Sequence, residues 1–162
     1  MKWLIISGLI SVLGYWISPV KIVYSFDTSM PYHWWLEVSL WRKPKVGDVV
    51  LIEPPQDEYT RGKLLVKRIV CGEGGYIKTE GLDYYCNGRY LGRARTEDSR
   101  GRPVRPVLLN QRIGRGYYFV MGESEKSYDS RYFGLVEEWR IKKFMYPVSE
   151  GPSLDFIFAR ER

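Results

Sequence analysis

Short apolar runs alternate with turns rich in Gly, Pro and polar residues along most of the chain after residue 20. No stretch sustains the period of a long amphipathic helix, whereas short runs bounded by turn residues are typical of strands. Strands are predicted at residues 46–54, 64–71, 77–79, 84–86 and 117–121, and residues 137–146 form either a strand or a short helix. The pattern therefore predicts a mainly β domain built on an antiparallel sheet or barrel-like arrangement.

Residues 89–115 depart from this pattern because they are rich in Arg and Gly and poor in alternation. Long connections inside a compact domain are uncommon and are often functional. We interpret this segment as an insertion or loop with at most one short strand.

The N-terminal run 3–17 carries no charge, and it lies between Lys2 and Lys21. Extended to Val20, it reaches the lower end of the ~17 to 25 residues that a membrane-spanning helix needs. A secretory signal is the alternative, but no small-x-small cleavage site follows the run, and aromatic residues lie near its ends. We therefore predict one retained transmembrane helix.

This division gives a membrane anchor at residues 1–20, a folded domain at 21–150 and a tail at 151–162. The flanking lysines set the orientation only weakly, and we place the domain outside the cytoplasm. With 44% hydrophobic and 15% aromatic residues in 162, the chain has enough apolar material for one packed domain, which excludes global disorder. The formal charge of +6 is compatible with nucleic acid, anionic lipid or an acidic partner.

Two segments carry candidate chemistry. Ser29 lies in the sequence DTSMP, where a Ser is most often a turn residue. Strand alternation places Lys67 on one face with Leu65 and Ile69, and Arg68 on the other face. Burial lowers the pKa of a lysine from about 10.4, and a pKa near ~7 to 8 would suit a general base. The alternative is that Lys67 reaches water from an edge strand.

Residues 116–134 read GYYFVMGESEKSYDSRYFG, a strand followed by a polar loop. With the Ser-Met-Pro at 29–31, the Lys-Arg at 67–68 and the VGDVV at 46–50, this ordered set resembles the signal peptidase I family. The matches extend from residue 25 to residue 135. The Cys-containing hairpin at 84–92 and the compact size resemble the TraF-type signal peptidases of conjugative transfer systems.

Carried over by position, the resemblance implies that Ser29 is the nucleophile and Lys67 the general base of a Ser/Lys dyad. It implies that the Ser127 hydroxyl hydrogen-bonds and orients the Lys67 amine. Asp129 and Arg131 correspond to a supporting pair that shapes the loop beneath the site.

The backbone N–H of Ser29 is the expected oxyanion donor. Many relatives place a second donor, a hydroxyl, two residues before the nucleophile, where this chain has Asp27, whose carboxylate would repel an oxyanion. Three alternatives stay open: Thr28 supplies the donor, Asp27 turns away, or the backbone acts alone. Gly75 is a further departure, since relatives often carry Asp there.

Cys71 and Cys86 bracket the hairpin that follows the Lys67 strand. An exported domain lies in an oxidising compartment, and neighbouring strands can bring two Cα atoms within the ~4.4 to 6.8 Å of a disulfide. Two free buried thiols are the alternative. With one His in the chain, we expect no metal site and no cofactor, and we reject a Ser29/His33 pair.

The resemblance implies a membrane-bound serine endopeptidase that removes signal or leader peptides from exported proteins. A pilin precursor of a conjugative transfer (type IV secretion) system is the expected substrate. The expected location is the bacterial inner membrane, with the catalytic domain on the periplasmic side, and the expected partners are the precursor, membrane lipid and other conjugation proteins. The alternative is a non-catalytic basic assembly component whose Arg residues at 89–115 bind nucleic acid or anionic lipid.

Overall fold

The structure is a computed structural model that describes residues 20–26 and 28–148. The predicted tail, Asp27 and all of the predicted anchor except Val20 lie outside the described residues. Within the described part, no helix is long and apolar enough to cross a membrane. Val20, the last residue of the predicted anchor, is the first residue of a strand.

The described residues form strands joined by turns and loops, with one short α-helix, α1 (Ser130–Phe133), and one 3-10 helix (Glu138–Arg140). The strands are β1 (Val20–Tyr24), β2 (Trp34–Ser39), β3 (Val49–Ile52), β4 (Leu65–Cys71), β5 (Tyr76–Glu80), β6 (Asp83–Cys86), β7 (Arg89–Arg93), β8 (Asn110–Arg112), β9 (Tyr117–Met121), β10 (Val136–Glu137) and β11 (Ile141–Pro147).

These strands make two antiparallel sheets. The larger has the order β1-β2-β11-β3-β4-β9-β10, and the smaller has the order β7-β6-β5-β8. The mainly β, antiparallel fold predicted from the sequence is confirmed. The predicted strands at 64–71 and 117–121 correspond to β4 and β9, and the predicted hairpin is β5 with β6, with Ile77 opposite Cys86.

Several elements differ from the prediction. The Arg- and Gly-rich segment 89–115 contains two strands, β7 and β8, instead of at most one, because β6 and β5 offer free edges for them. Residues 137–146 contain both alternatives in succession, since the 3-10 helix leads directly into β11. β1, β2 and the two-residue β10 were not predicted.

The strand β9 joins the two sheets because it is buried on both faces. Tyr118 and Val120 pack in one apolar cluster with Val50, whereas Phe119 and Met121 pack in a second cluster. A strand buried on both faces has few ways to shift, because a slip of one residue would exchange the two sets of side chains. The loop that leaves β9 at residue 122 is therefore held on a rigid base.

Candidate active site

Ser29 and Lys67 meet in the interior of the domain. The Lys67 Nζ donates a hydrogen bond to the Ser29 Oγ at 2.6 Å. The exposed fractions are 1% for Lys67 and 5% for Ser29, so both side chains are shielded from bulk water. A buried ammonium is costly, and burial favours the neutral amine of a lysine.

The sheet fixes the position of Lys67. The residue lies in the middle of β4, where its Cα pairs with Val50 of β3, and Ile69 two residues on is fully buried. Arg68, on the opposite face, is part-exposed and its Nη2 pairs with Glu123 Oε1 at 2.5 Å. The predicted alternation of this strand is confirmed, and the alternative of a lysine reaching water is wrong.

The backbone around Ser29 is held by the loop that follows β9. The carbonyl oxygen of Ser29 accepts hydrogen bonds from the backbone N–H groups of Glu123 at 2.8 Å and Ser124 at 3.1 Å. The next residue, Met30, is buried in an apolar cluster that includes Trp35 and Val66. Ser29 is thus fixed on both sides, which is the condition for a precisely placed hydroxyl.

Ser127 lies beside this pair but does not make the predicted hydrogen bond. Its side chain is buried, and its Oγ has no hydrogen-bond partner among the residues that the structure describes. The expected bond from Ser127 to the Lys67 amine is therefore not formed here, and the Lys67 Nζ donates to Ser29 instead. The side chain packs against Gly122, where its Oγ and Cβ occupy the space that a Cβ at 122 would need.

Asp129 and Arg131 form a fully buried pair under the loop. Arg131 donates from Nε to Asp129 Oδ1 and from Nη2 to Oδ2, both at 2.8 Å. Asp129 also accepts from the backbone N–H of Gly122 at 3.0 Å and caps α1 by accepting from the Arg131 N–H. Burial lowers the pKa of Arg131, but the hydrogen bond and charge of Asp129 raise it above its ordinary value.

The same guanidinium reaches two further segments. Arg131 Nη2 donates to the carbonyl of Ser127 at 3.2 Å, and Nη1 donates to the carbonyl of Arg93 at 2.7 Å. The carbonyl of Arg131 accepts from Tyr84 OH at 2.9 Å, and burial raises the pKa of Tyr84 to about 12. Arg131 therefore fastens the 122–129 loop to the smaller sheet, and Tyr84 is a supporting residue that sequence reasoning missed.

A groove of about 1000 Å³ opens beside Ser29. Its walls come from the segment before β2, the turn at 58–65, part of the Arg-rich segment, and the loop after β9. The lining includes Thr28, Ser29, Tyr59, Leu65, Arg100, Ser124 and Ser127. The volume is at the upper end of the ~300 to 1,000 Å³ that ligand sites typically have.

Thr28 is exposed and lines the groove next to Ser29, so it stays a candidate for the second oxyanion donor. Asp27 lies outside the described residues. His33 is bound elsewhere, because its Nδ1 lies 3.1 Å from the Ser25 carbonyl oxygen and its ring stacks on Tyr24.

Cys71 and Cys86 form the predicted disulfide, with their Cα atoms 5.9 Å apart. It joins the end of β4, which carries Lys67, to the hairpin of the smaller sheet. Gly75 packs against it: a Cβ at 75 would lie 2.8 Å from Cys71 Sγ and 3.0 Å from the Gly72 carbonyl oxygen. The Gly at this position is thus explained by the disulfide, because an Asp side chain would meet the sulfur.

A buried Ser–Lys hydrogen bond at the wall of a groove is an arrangement suited to nucleophilic chemistry without histidine. The family described as "Signal peptidase, peptidase S26" matches residues 1–143, and the chain belongs to this family. The prediction from the sequence motifs is confirmed at that level, while the TraF-type subfamily stays a prediction.

The chain is similar to a plant processing peptidase and to a solved bacterial protein. Thylakoidal processing peptidase 1, chloroplastic, from Arabidopsis thaliana is 29% identical over 102 residues, which is 58% of this chain and 29% of that protein. The chain therefore spans less than a third of that relative's length. The structure is also similar to a signal peptidase I from Enterococcus faecalis, with a TM-score of 0.45 and 21% identity over 65% of this chain and 98% of that one.

Proposed function

We propose that the protein is a membrane-bound serine endopeptidase that cleaves signal or leader peptides from exported proteins through a Ser29/Lys67 dyad. The observation that carries this proposal is the buried 2.6 Å hydrogen bond from Lys67 Nζ to Ser29 Oγ, beside a groove large enough for a peptide. Membership of the signal peptidase family supports the same reaction.

The reaction is an acyl transfer. The neutral amine of Lys67 takes the proton of the Ser29 hydroxyl while Oγ attacks the scissile carbonyl carbon. Lys67 then returns that proton to the leaving amine as the peptide bond breaks. Water attacks the ester, loses a proton to Lys67 and releases the acyl product, and Ser29 regains its hydrogen. A substrate amine in place of water would give a cyclised or ligated product.

The roles of neighbouring groups follow from their contacts. The Ser29 backbone N–H is the proposed oxyanion donor, and the hydrogen bonds that the Ser29 carbonyl accepts hold the backbone on the C-terminal side of this residue. Ser127 is proposed to bond the Lys67 amine once Ser29 is acylated, and a buried Oγ with no hydrogen-bond partner among the described residues supports this role. Asp129 and Arg131 hold the loop and do not touch the substrate.

The proposed substrate is an exported precursor, and specifically a pilin precursor of a conjugative transfer system, at the bacterial inner membrane. The Cys71–Cys86 disulfide supports a catalytic domain on the periplasmic side, because disulfides persist in oxidising compartments. Other proteins of the conjugation machinery are proposed partners.

An apolar surface near Ser29 supports contact with membrane lipid. In β1, at the edge of the larger sheet, Ile22 and Tyr24 are exposed. The Tyr24 ring packs edge to face on the Trp34 ring of β2, with the ring centroids 5.0 Å apart. Phe26, between β1 and Ser29, is 89% exposed. Aromatic and aliphatic side chains of this kind favour the membrane interface. We expect Ile22→Asp to slow cleavage of a membrane-embedded precursor but not of a soluble peptide.

The first experiment measures cleavage of a candidate prepilin in membranes by the wild type, Ser29→Ala and Lys67→Met, with mass spectrometry of the product. Methionine keeps the length of the buried lysine without its amine, so the fold is expected to survive. Both variants should lose cleavage by more than about 100-fold, because the dyad members act as a unit. The product mass separates hydrolysis from cyclisation.

Ser39 and Lys143 are a matched control. Lys143 Nζ donates to Ser39 Oγ at 3.1 Å in the same sheet, but this pair is part-exposed and does not line the groove. Ser39→Ala and Lys143→Met should cleave like the wild type. Cleavage by Ser29→Ala would refute the mechanism, and salt-dependent binding of DNA or anionic lipid without cleavage would favour the non-catalytic assembly component instead.

A further inference from the structure

One wall of the groove is built from the Arg-rich segment 94–104. The backbone N–H of Arg95 donates to Tyr132 OH at 3.0 Å, and the Arg102 guanidinium lies over the Tyr59 ring at 5.1 Å. Val104 closes the segment as a buried residue, and Tyr59 stacks on Tyr128, which stacks on Tyr132. The segment is therefore docked on the aromatic side of the groove and not a free loop.

A tight turn presents Arg100 at the tip of this segment. The Asp98 carboxylate accepts from the backbone N–H groups of Arg100 at 2.8 Å and Arg102 at 2.9 Å. It also pairs with the Arg102 guanidinium at 2.7 Å, so these two charges compensate each other. The Arg100 backbone is thereby fixed, while its guanidinium has no carboxylate partner in the part of the chain that the structure describes.

The remaining charges of the groove lining are unequal. The cations are Lys63, Arg95, Arg100 and Lys126, and the anions are Glu58 and Glu97. Within residues 20–26 and 28–148, the side chains of Arg95, Arg100 and Lys126 form no ion pair and no hydrogen bond. Among the described residues, the groove beside Ser29 therefore has an excess of positive charge that no described carboxylate neutralises.

We propose that Arg95, Arg100 and Lys126 bind carboxylate side chains of the polypeptide substrate, so that the enzyme prefers substrates with acidic residues close to the scissile bond. This inference rests on the proposed function, because the occupant of the groove is taken to be the chain that is cleaved. Complementary charges across such a surface improve encounter and selectivity more than affinity.

A peptide fits these observations better than nucleic acid does. Glu58 and Glu97 line the same groove and would repel a continuous phosphate backbone. The other arginines of the segment do not extend the groove into a track, because Arg93 in β7 and Arg112 in β8 lie on opposite edges of the smaller sheet. Arg93 is paired with Asp83, and Arg112 Nη1 donates to the Gly74 carbonyl.

The test measures binding to the full chain carrying Ser29→Ala, so that no turnover is needed. Fluorescein-labelled peptides spanning the cleavage site of an exported precursor carry a single Asp, or the matched Asn, at successive positions on each side of the bond. Fluorescence anisotropy should give tighter binding for Asp than for Asn at one or two positions. Arg95→Gln and Arg100→Gln should each reduce that preference by about three- to fivefold, the range of exposed ion pairs.

Arg105→Gln is the matched control, since Arg105 directly follows this segment and is exposed but does not line the groove. It should leave the Asp preference unchanged. A charge exchange, Arg100→Glu with Lys in place of the Asp, should restore binding. Equal binding of Asp and Asn peptides, absence of peptide binding, or an equal loss in Arg105→Gln would overturn the inference.

Two outcomes separate this inference from the proposed function. If the wild type fails to cleave any precursor while the Asp preference and its loss in Arg100→Gln persist, the protease is refuted and the carboxylate site stands. If the wild type cleaves Asp and Asn peptides with equal kcat/KM, the protease stands and the site is refuted. Displacement of the peptide by a DNA oligonucleotide that binds more tightly would assign the groove to nucleic acid.

Discussion

Gly122 and Ser127 are in van der Waals contact, with no space for a side chain between them. A Cβ at position 122 would overlap Ser127 Oγ, and it would lie 2.6 Å from Ser127 Cβ and 2.8 Å from the carbonyl oxygen of Ser29. The loop after β9 can cross Ser29 closely only because residue 122 is a glycine. The absence of a side chain at residue 122 therefore determines how closely the loop approaches the proposed nucleophile.

Gly122→Ala should push the loop away from Ser29. The carbonyl oxygen of Ser29 cannot move without breaking its two backbone hydrogen bonds, and the Ser127 side chain is buried, so we expect about 1 to 3 kcal/mol of destabilisation. Precursor cleavage should fall by more than about tenfold, because small displacements of reacting groups are costly. Urea unfolding and cleavage assays measure the two effects.

Gly114→Ala is the control for this substitution. The nearest atom to a Cβ at 114 is Tyr117 Cδ2 at 3.9 Å, an ordinary contact. This variant should unfold at about the same urea concentration as the wild type and retain its activity. Equal behaviour of the two alanine variants would mean that the loop is not constrained at residue 122.

The position of Lys67 could be predicted because strand alternation is a local property. Leu65 and Ile69, two residues to either side, are apolar, which places the lysine side chain on the buried face. Its hydrogen bond to Ser29 could not be predicted from strand alternation, because the two residues are 38 positions apart in the sequence. Periodicity contains no information on such a contact, and only the resemblance of several motifs in one order suggested it.

β1 and β2 were missed because their outward faces are apolar. Ile22 and Tyr24 in β1 and Trp34 in β2 are exposed, so the sequence lacks the polar alternation that identifies a half-buried strand. β8 was missed for the opposite reason, because its residues 110–112 are all polar and exposed. Its pairing with β5 is a tertiary contact that overrides local preference.

The Asp129–Arg131 pair should be among the most sensitive positions for stability. Both side chains are 2% exposed or less, and the carboxylate also holds the Gly122 N–H. Arg131→Met leaves an unpaired buried carboxylate, which typically costs about 3 to 5 kcal/mol. Arg131→Lys keeps the charge but loses the bidentate contact. Its free energy of unfolding should therefore lie between that of the methionine variant and that of the wild type.

Urea unfolding of the purified chain measures this effect, and Arg93→Met is the control. Arg93 pairs with Asp83 at 2.7 Å, but its side chain is 61% exposed. Arg93→Met should therefore lower the free energy of unfolding by less than about 1 kcal/mol. Similar losses for Arg93→Met and Arg131→Met would contradict the role of burial.

The disulfide should stabilise the domain as a link between the two sheets. Cys71 and Cys86 are 15 residues apart, and closing a loop of that length contributes about 3 kcal/mol in the chain-entropy account. We expect Cys71→Ser with Cys86→Ser to lower the free energy of unfolding by about 2 to 4 kcal/mol. Reductant should lower the unfolding midpoint of the wild type and leave that of the double variant unchanged.

Asp57 should make stability depend on acid pH. Its carboxylate accepts from Tyr128 OH at 2.7 Å and from Thr60 Oγ1 at 2.9 Å. Burial raises the pKa of Asp57, but these hydrogen bonds and those of the backbone lower it below its ordinary value. The charged form is thus favoured by folding, so its contribution is present above the unfolded pKa of about 3.9 and is lost as pH falls through the folded pKa.

Asp57→Asn should therefore be less stable than the wild type by about 1 to 2 kcal/mol at pH 7, and this difference should shrink as the pH falls below about 4. Urea unfolding between pH 3 and pH 7 measures it, with Asp83→Asn as the control, because the described partners of the Asp83 carboxylate are only the exposed Arg93 and Tyr90. The hydrogen bond from Tyr128 links the turn at 57–60 to the loop beside Ser127, so cleavage should weaken over the same pH range. A difference between wild type and Asp57→Asn that does not change with pH would mean that the Asp57 charge does not hold this wall of the groove.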